Sequence, residues 1–509
     1  MDIAVVVVYL VGMVGVGYLG KRRVTDQSGF LVAGRRLGPG MYAGTLSALV
    51  LGGASTIGGV GLGYEFGVSG MWLVVAIGSG VLLLSLVFAG RIQRVKVFTV
   101  SQMLELRYGA GTTSVSAVVM WAYTLMLAAT STIAFGTVFG VLFGMDRVPA
   151  ILLGGGIVVA YSAMGGMWSI TLTDIVQFAV QTVGILCVLL PVVIWRAGGF
   201  DGISASVGET AFDVTAIGGG TILTYFVIYF LGILIGQDIW QRVFTARSPE
   251  VARRAGAAAG VYCIVYGVAG ALIGTAAQVL VPGLENRDEA FVAVAQEALP
   301  VGLTGLVLAA ALAAIMSTAS GSLLATATVA RQDIASGLLK AVSARRAQVP
   351  TTASAAETVP VATEDDEVRG NRVYVVVFGV LVIAVASVLQ DVVAALTIAY
   401  DILVGGLLVP ILGGMVWRRA TASGALAAMG VGIVGTLGTM AVLGDIYANA
   451  PVYVGLGGAA VAFVAVSLAT RPTDPALLEN WDARSSGAPS TLAGAGDRGT
   501  GSAARTGDS

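Results

Sequence analysis

The chain has no histidine, only two cysteines and little charge, with lysine, arginine, aspartate and glutamate making up 11% of its 509 residues. The missing histidine removes the commonest metal ligand and the side chain that most readily shuttles protons near neutral pH. Cys187 and Cys263 both fall inside apolar stretches, so neither a disulfide framework nor a thiolate metal site is implied. There is no phosphate-binding loop either, and no enzymatic constellation emerges. The shortage of charge says most. A soluble domain carries about 25% charged residues, whereas here 56% of residues are hydrophobic and the mean hydropathy is +0.89. These values describe an all-α polytopic membrane protein whose surroundings are the lipid bilayer, with no nucleic-acid or obligate protein partner in view.

What is present is a series of apolar runs. Thirteen are long enough to cross about 30 Å of hydrocarbon. They cover 2–20, 37–63, 69–90, 113–143, 147–165, 168–195, 218–241, 254–281, 301–330, 372–390, 392–417, 421–443 and 452–469. The first lacks the basic segment and cleavage site of a signal peptide and is expected to be retained. With the N-terminus outside, only Arg147, Arg196 and Arg287 of the 28 basic residues remain outside. The positive-inside rule therefore predicts N-out and C-in, and an odd number of spans agrees. Residues 1–470 form the membrane domain in this reading. Residues 340–371 are expected to be a cytoplasmic loop, disordered in part, and 471–509 a disordered cytoplasmic tail.

The second span organises the rest. Val50 to Gly70 reads VLGGASTIGGVGLGYEFGVSG, with Ser55 and Thr56 among six glycines between Gly52 and Gly63. So dense a cluster favours a helix that opens partway across, because glycine loses the most freedom on entering a helix. Open backbone at membrane depth needs partners for its carbonyls, and a sodium ion is one. Close packing of helices through small residues uses the same glycines and is an equal alternative. The ninth span places Ser317, Thr318, Ser320 and Ser322 at one level, with Ala314 one turn earlier. Adjacent hydroxyls and a loosened carbonyl are hard oxygen ligands of the kind a small cation requires. Hydroxyls bonding back to the i−4 carbonyl of their own helix are the blander account.

Four stretches carry a resemblance. Ala-Ala-Ile-Met-Ser-Thr-Ala-Ser at 313–320 resembles the sodium-binding helix of the sodium:solute symporter family. YSAMGGMWSITLTDIVQ at 161–177 is similar to its Gly-Gly…Thr-Asp…Gln signature. GQDIWQRVFTARS at 236–248 and WRRATASGA at 417–425 resemble two further family stretches, in order. The resemblance covers residue 1 to about 470. It implies a LeuT-like fold in which spans 2–6 and 7–11 form inverted five-helix repeats, with spans 2 and 7 discontinuous and the solute near their breaks. Carried over by motif, a sodium site would use the carbonyls of Ala54, Ile57 and Ala314 and the hydroxyls of Ser317 and Thr318. Proline-specific members carry an acid where this chain has Thr56, which weakens a proline assignment.

Other polar residues have two readings each. Asp401 lies well inside the eleventh span, where charge is expensive unless it lines a cavity or is paired; it is a gate, a solute contact or half of a structural pair. Gln237 and Asp238 line an inner pathway, or Asp238 pairs with Arg242 one turn on. Asp174 and Gln177 suit packing and gating, and Tyr64 and Glu65 the outer mouth. Ser55, Thr56, Trp72 and Tyr225 are further candidates for a solute cavity or gate, with core packing the alternative for the two aromatics. The combined reading is a plasma-membrane transporter that couples sodium entry to uptake of a small polar solute, an amino acid or small carboxylate. A proton-coupled or uncoupled transporter on the same fold is the first alternative. A non-transporting membrane sensor is the second.

Overall fold

The computed structural model describes residues 1–339, 363–389, 391–445 and 448–487. Among the described residues all regular structure is helical, apart from one isolated bridge between Leu37 and Ala246. Ten helices among the described residues are long and apolar enough to cross a membrane, eleven if one bent pair is taken as a span. In chain order the principal helices are α1 (Asp2–Lys21), α2 (Pro39–Val50), α3 (Gly59–Phe66), α4 (Trp72–Leu83), α5 (Thr113–Phe143) and α6 (Arg147–Gln181). There follow α7 (Gly219–Tyr225), α8 (Gln237–Val243), α9 (Pro249–Leu280), α10 (Leu303–Val329) and α11 (Glu364–Val388). The last four are α12 (Val392–Val416), α13 (Ala422–Leu443), α14 (Ala450–Ala469) and α15 (Pro475–Ser486).

The bundle is built around α10. Its most apolar window is 89% buried, against 28% for α1 and 22% for α13. The reason is its sequence: alanine, glycine and serine dominate 308–322, and small side chains let neighbouring backbones approach closely where hydrophobic exclusion gives no advantage over lipid. α5 and α6 pack most closely against it, α1, α11 and α2 also touch it, and α13 and α14 lie at the rim.

Four departures from helical geometry matter. α2 stops at Leu51 (φ −95, ψ 65), and a wide turn over Ala54–Gly58 restarts the helix into α3. Gly67, at φ +61 and ψ −149, ends α3. α6 is kinked at Gly165 and at Gly166 (φ 50, ψ −131). The carbonyl and ring of Phe30 stand where a Cβ at Gly166 would lie, so only glycine fits. Finally, the Gly219–Ile233 and Gln237–Val243 segments meet at 45° across a break of a few residues.

Two expectations need correction. The loop expected over 340–371 ends earlier, since α11 begins at Glu364 behind a capping box of Thr363 and Asp366. Four acidic residues fill its first turn, where the helix dipole favours negative charge. Disorder from 471 does not hold either. Asp474 caps α15 through the Ala476 amide at 2.9 Å, and Trp481 is only 6% exposed, facing Ile92, Met103 and Met415. A polar average conceals one anchoring tryptophan. Residues 340–362 and 488–509, also expected to be disordered, lie outside the described residues.

Candidate ion and solute site

The last carbonyls of any helix lack partners within it, and α2 ends in the middle of the bundle. Its orphan carbonyls are met by α10. The Ser317 hydroxyl proton is shared between the carbonyls of Ala48 (2.7 Å) and Ala314 (2.9 Å). Thr318 Oγ1 donates to the Leu49 carbonyl, and Ser55 Oγ reaches back across the break to the Val50 carbonyl at 3.2 Å. This contact is possible only because residue 52 is glycine: the Thr318 side chain fills the place a Cβ there would take. Ala54, Ser55 and Thr318 line one narrow cavity beside the break. Ala314, Ser317 and Ile57 are fully buried and do not line it. The result is a cluster of neutral carbonyl and hydroxyl oxygens with lone pairs to spare.

The second break faces the same cavity. Trp240 Nε1 donates to the orphan carbonyl of Leu234 at 2.8 Å. The two broken spans are tied together at the ends remote from the cavity by backbone bonds, from the Leu37 amide to the Thr245 carbonyl and from the Arg247 amide to the Leu37 carbonyl, both 3.0 Å. Arg242 does not pair with Asp238. It binds Asp174 on α6 at 2.9 Å, with side chains 1% and 0% exposed, and Thr45 of α2 donates to the same carboxylate oxygen. The i,i+4 expectation fails because Asp174 approaches Arg242 from another helix. Asp238 accepts a hydrogen bond from Tyr123 Oη at 2.9 Å and lines the cavity.

The remaining candidates scatter. Thr56 hydrogen bonds with the Tyr266 hydroxyl of α9 at 2.8 Å and does not line the cavity. Trp72 Nε1 donates to the Val214 carbonyl at 2.6 Å, pinning the loop before α7. Gln237 accepts from the Val100 amide (2.8 Å) and donates to the Phe98 carbonyl (3.0 Å), which makes it a brace. Tyr225 lines a second cavity, a vestibule shared with Tyr229, Thr397 and Arg287. Arg287 pairs with Glu65, and Asp288 and Asp391 add negative charge beside it. Burial first, then Asp391, raises the Asp288 carboxyl to about 6, against the lowering effect of Arg287; the mouth carries its full negative charge only above that pH. Tyr64 Oη donates to the Val281 carbonyl and accepts from the Leu284 amide, both 3.0 Å, closing the end of α9. Gln177 is buried on α6. Asp401 is 1% exposed, and neither carboxylate oxygen has a hydrogen-bond partner among the described residues.

Several site residues escape the sequence reading. Tyr123, Tyr229 and Tyr400 form an edge-to-face series, with ring centroids 5.4 and 5.3 Å apart. Tyr225 extends it to the vestibule at 5.5 Å from Tyr229. Thr130 and Ser131 line the central cavity from α5. The signal available for these two was a Thr-Ser-Thr run at 130–132 in an apolar span. Nothing local marks the tyrosines.

With this geometry in place, comparisons with known proteins converge. A family model described as the sodium:solute symporter family matches residues 30–432. The high-affinity proline transporter of Bacillus subtilis is 26% identical over 324 residues, 60% of this chain and 68% of that protein. A sodium/proline symporter of Salmonella typhimurium is 24% identical over 446 residues, 84% of this chain and 85% of that one. The fold matches that of a Na+-coupled sialic acid symporter solved in a substrate-bound outward-open state. The TM-score is 0.75 at 19% identity, covering 93% of this chain and 98% of that one.

Proposed function

This chain belongs to the sodium:solute symporter family, and from that premise we propose that it is a secondary active transporter that couples sodium entry to uptake of a small polar organic solute by alternating access. The single observation behind the mechanism is the docking of the Ser317 and Thr318 hydroxyls on the broken end of α2. The sodium ligands in this reading are those two hydroxyls and the carbonyls of Ala54, Ile57 and Ala314. Five neutral oxygens hold a monovalent ion weakly enough to release it.

Sodium entering from outside bridges α10 and the broken second span, stabilises the outward-open form and completes the solute site. The inner halves α2 and α8 then swing together, as the Leu37–Ala246 bridge supports. Their separation from α10 releases the ion. One sodium moving down ~100 mV and a tenfold gradient supplies roughly 2.3 + 1.4 kcal/mol, enough for about 500-fold accumulation of a neutral solute. The architecture we assign has thirteen crossings of the plasma membrane, N-terminus out and C-terminus in, with spans 2–6 and 7–11 as inverted repeats. The turns at Gly67 and at Gly165–Gly166 support counting two crossings in each merged stretch. The two breaks then fall on the first span of each repeat. The solute class in this reading is an amino acid or small carboxylate, and the named solute of the relatives above, proline, is the first to try. In proteoliposomes, uptake driven by an inward sodium gradient and absent with a potassium gradient is expected. Equal uptake in both contradicts the assignment.

One observation favours a second reading. A carboxylate as deeply buried as Asp401 requires a proton or a cation, which is what a proton-coupled transporter on this fold would use. Asp401→Asn, which keeps the shape, is expected to lower uptake in whole cells without lowering the unfolding temperature. Wild-type uptake by this variant removes Asp401 from the transport path.

A further inference from the structure

We propose that the chain carries a second ligand site, for a negatively charged phosphate ester, in a basic cavity apart from the ion and solute site. The cavity, of about 490 Å3, is lined by Arg35, Arg94, Lys96 and Arg247, with Gln93 and Ser248 beside them. No carboxylate among the described residues lines it. Arg94, Lys96 and Arg247 form no ion pair and no side-chain hydrogen bond among the described residues. The nearest acid along the chain, Glu250, pairs with Arg254 instead. Four like charges gathered on one cavity repel one another, so the arrangement calls for an anion among them. Guanidinium groups match phosphate oxygens with paired, charge-assisted hydrogen bonds.

The backbone is bent to bring the bases there. Arg35 (φ 57) and Lys96 (φ 55) are two of the three non-glycine residues in the left-handed region among the described residues. Glycine would sit at either position without strain, so strain is retained where it delivers a base to the cavity. Arg35 is fixed by the carbonyls of Val97 (2.9 Å) and Phe244 (3.3 Å). The rings of Phe98 and Phe244 flank it at 5.5 and 5.7 Å. Burial with no carboxylate to oppose it lowers this guanidinium to about 10. Ser248 and Pro249 bring the N-terminus of α9 to the same wall, where the helix dipole favours an anion.

The position favours a lipid headgroup as the source of the phosphate. The cavity sits where spans end: Arg94 is in the last turn of the Ala54–Val95 stretch, and Pro249 begins α9. Val87, two turns before Arg94, and Val261 on α9 are both exposed and offer apolar surface to acyl chains. Basic pockets between spans, on the side that collects basic residues, suit anionic headgroups. Occupancy also has a structural consequence. Gln93 donates to the Ala246 carbonyl at 3.0 Å, and Ala246 is bridged to Leu37. A phosphate held by Arg35, Lys96 and Arg247 therefore clamps the two broken spans at the ends remote from the central cavity.

The test is calorimetric titration of the full-length protein in neutral detergent at fixed sodium chloride. The probes are dihexanoylphosphatidylglycerol, dihexanoylphosphatidylcholine and glycerol 3-phosphate. The net-negative lipid is expected to bind about tenfold or more tightly than the zwitterionic one. Arg94→Gln/Lys96→Gln/Arg247→Gln should bring the two within about twofold. Lys21→Gln/Arg22→Gln/Arg23→Gln, which removes the same charge at the end of α1, should leave the preference intact. Where the cavity triple variant unfolds early, Arg94→Gln and Arg247→Gln singly carry the test, each losing about threefold; unchanged affinity in both overturns the proposal. Glycerol 3-phosphate binding as tightly as the anionic lipid, with the same sensitivity to the cavity substitutions, assigns the site to a soluble phosphate ester. Weaker binding assigns it to lipid. Binding of neither anion in preference to the zwitterionic lipid, a preference that survives the cavity substitutions, or one lost equally in the α1 variant also overturns it.

Discussion

Replacing Ser317 and Thr318 together by alanine is expected to raise the sodium concentration that half-saturates uptake by about tenfold or more. Two of five proposed ligands are lost at once, and the site has no charged ligand to compensate. The same hydroxyls also hold α2 through the carbonyls of Ala48 and Leu49, so a fall in stability of about 1 kcal/mol per lost bond accompanies the change. Thr318→Ser separates the two effects. It keeps the oxygen and loses only a methyl group, and near-normal sodium dependence is expected. Uptake by the double alanine with unaltered sodium dependence would remove both residues from the ion site.

Arg242→Met is expected to destabilise the protein by about 3–5 kcal/mol, seen as a large drop in unfolding temperature and poor recovery from membranes. The ion pair with Asp174 is fully buried, and Thr45 completes it, so α2, α6 and α8 converge on one carboxylate. Removing the guanidinium leaves that carboxylate without its counter-charge. Adding Asp174→Leu to Arg242→Met should restore much of the loss, since a buried pair replaced by apolar side chains of similar volume is often neutral. A single mutant as stable as wild type would show that the pair is not holding α2, α6 and α8 together.

How much of this was legible beforehand depends on how local each feature is. The breaks in the second and seventh spans have local causes. Glycines at 52 and 53 and at 236 stand where the helices open, and the hydroxyls at 317 and 318 announce the partner of the first break. Span ends were less legible, because capping is decided by single residues: Thr363 and Asp366 start α11 at Glu364, eight residues before hydropathy does, and Trp481 anchors a helix in a polar tail. The ion pairing was misjudged for a different reason. Spacing placed Arg242 with Asp238, but Asp174 lies 68 residues away in sequence, and tertiary proximity prevails over the helical neighbour. Thr56 and Trp72 were legible as polar or aromatic near a break. Which face of the helix they occupy was not, and both turn away from the cavity.

The most direct test of the account is the unfolding temperature of the purified protein in sodium chloride and in potassium chloride at equal ionic strength, for the wild type and for the Ser317→Ala/Thr318→Ala variant. A ligand that binds only the folded form stabilises it by mass action, by about 2.7 kcal/mol at a hundred times its dissociation constant. The account predicts a sodium-specific rise in the wild type that the double variant loses. Equal unfolding temperatures in the two salts, or a rise that the variant retains in full, would contradict it.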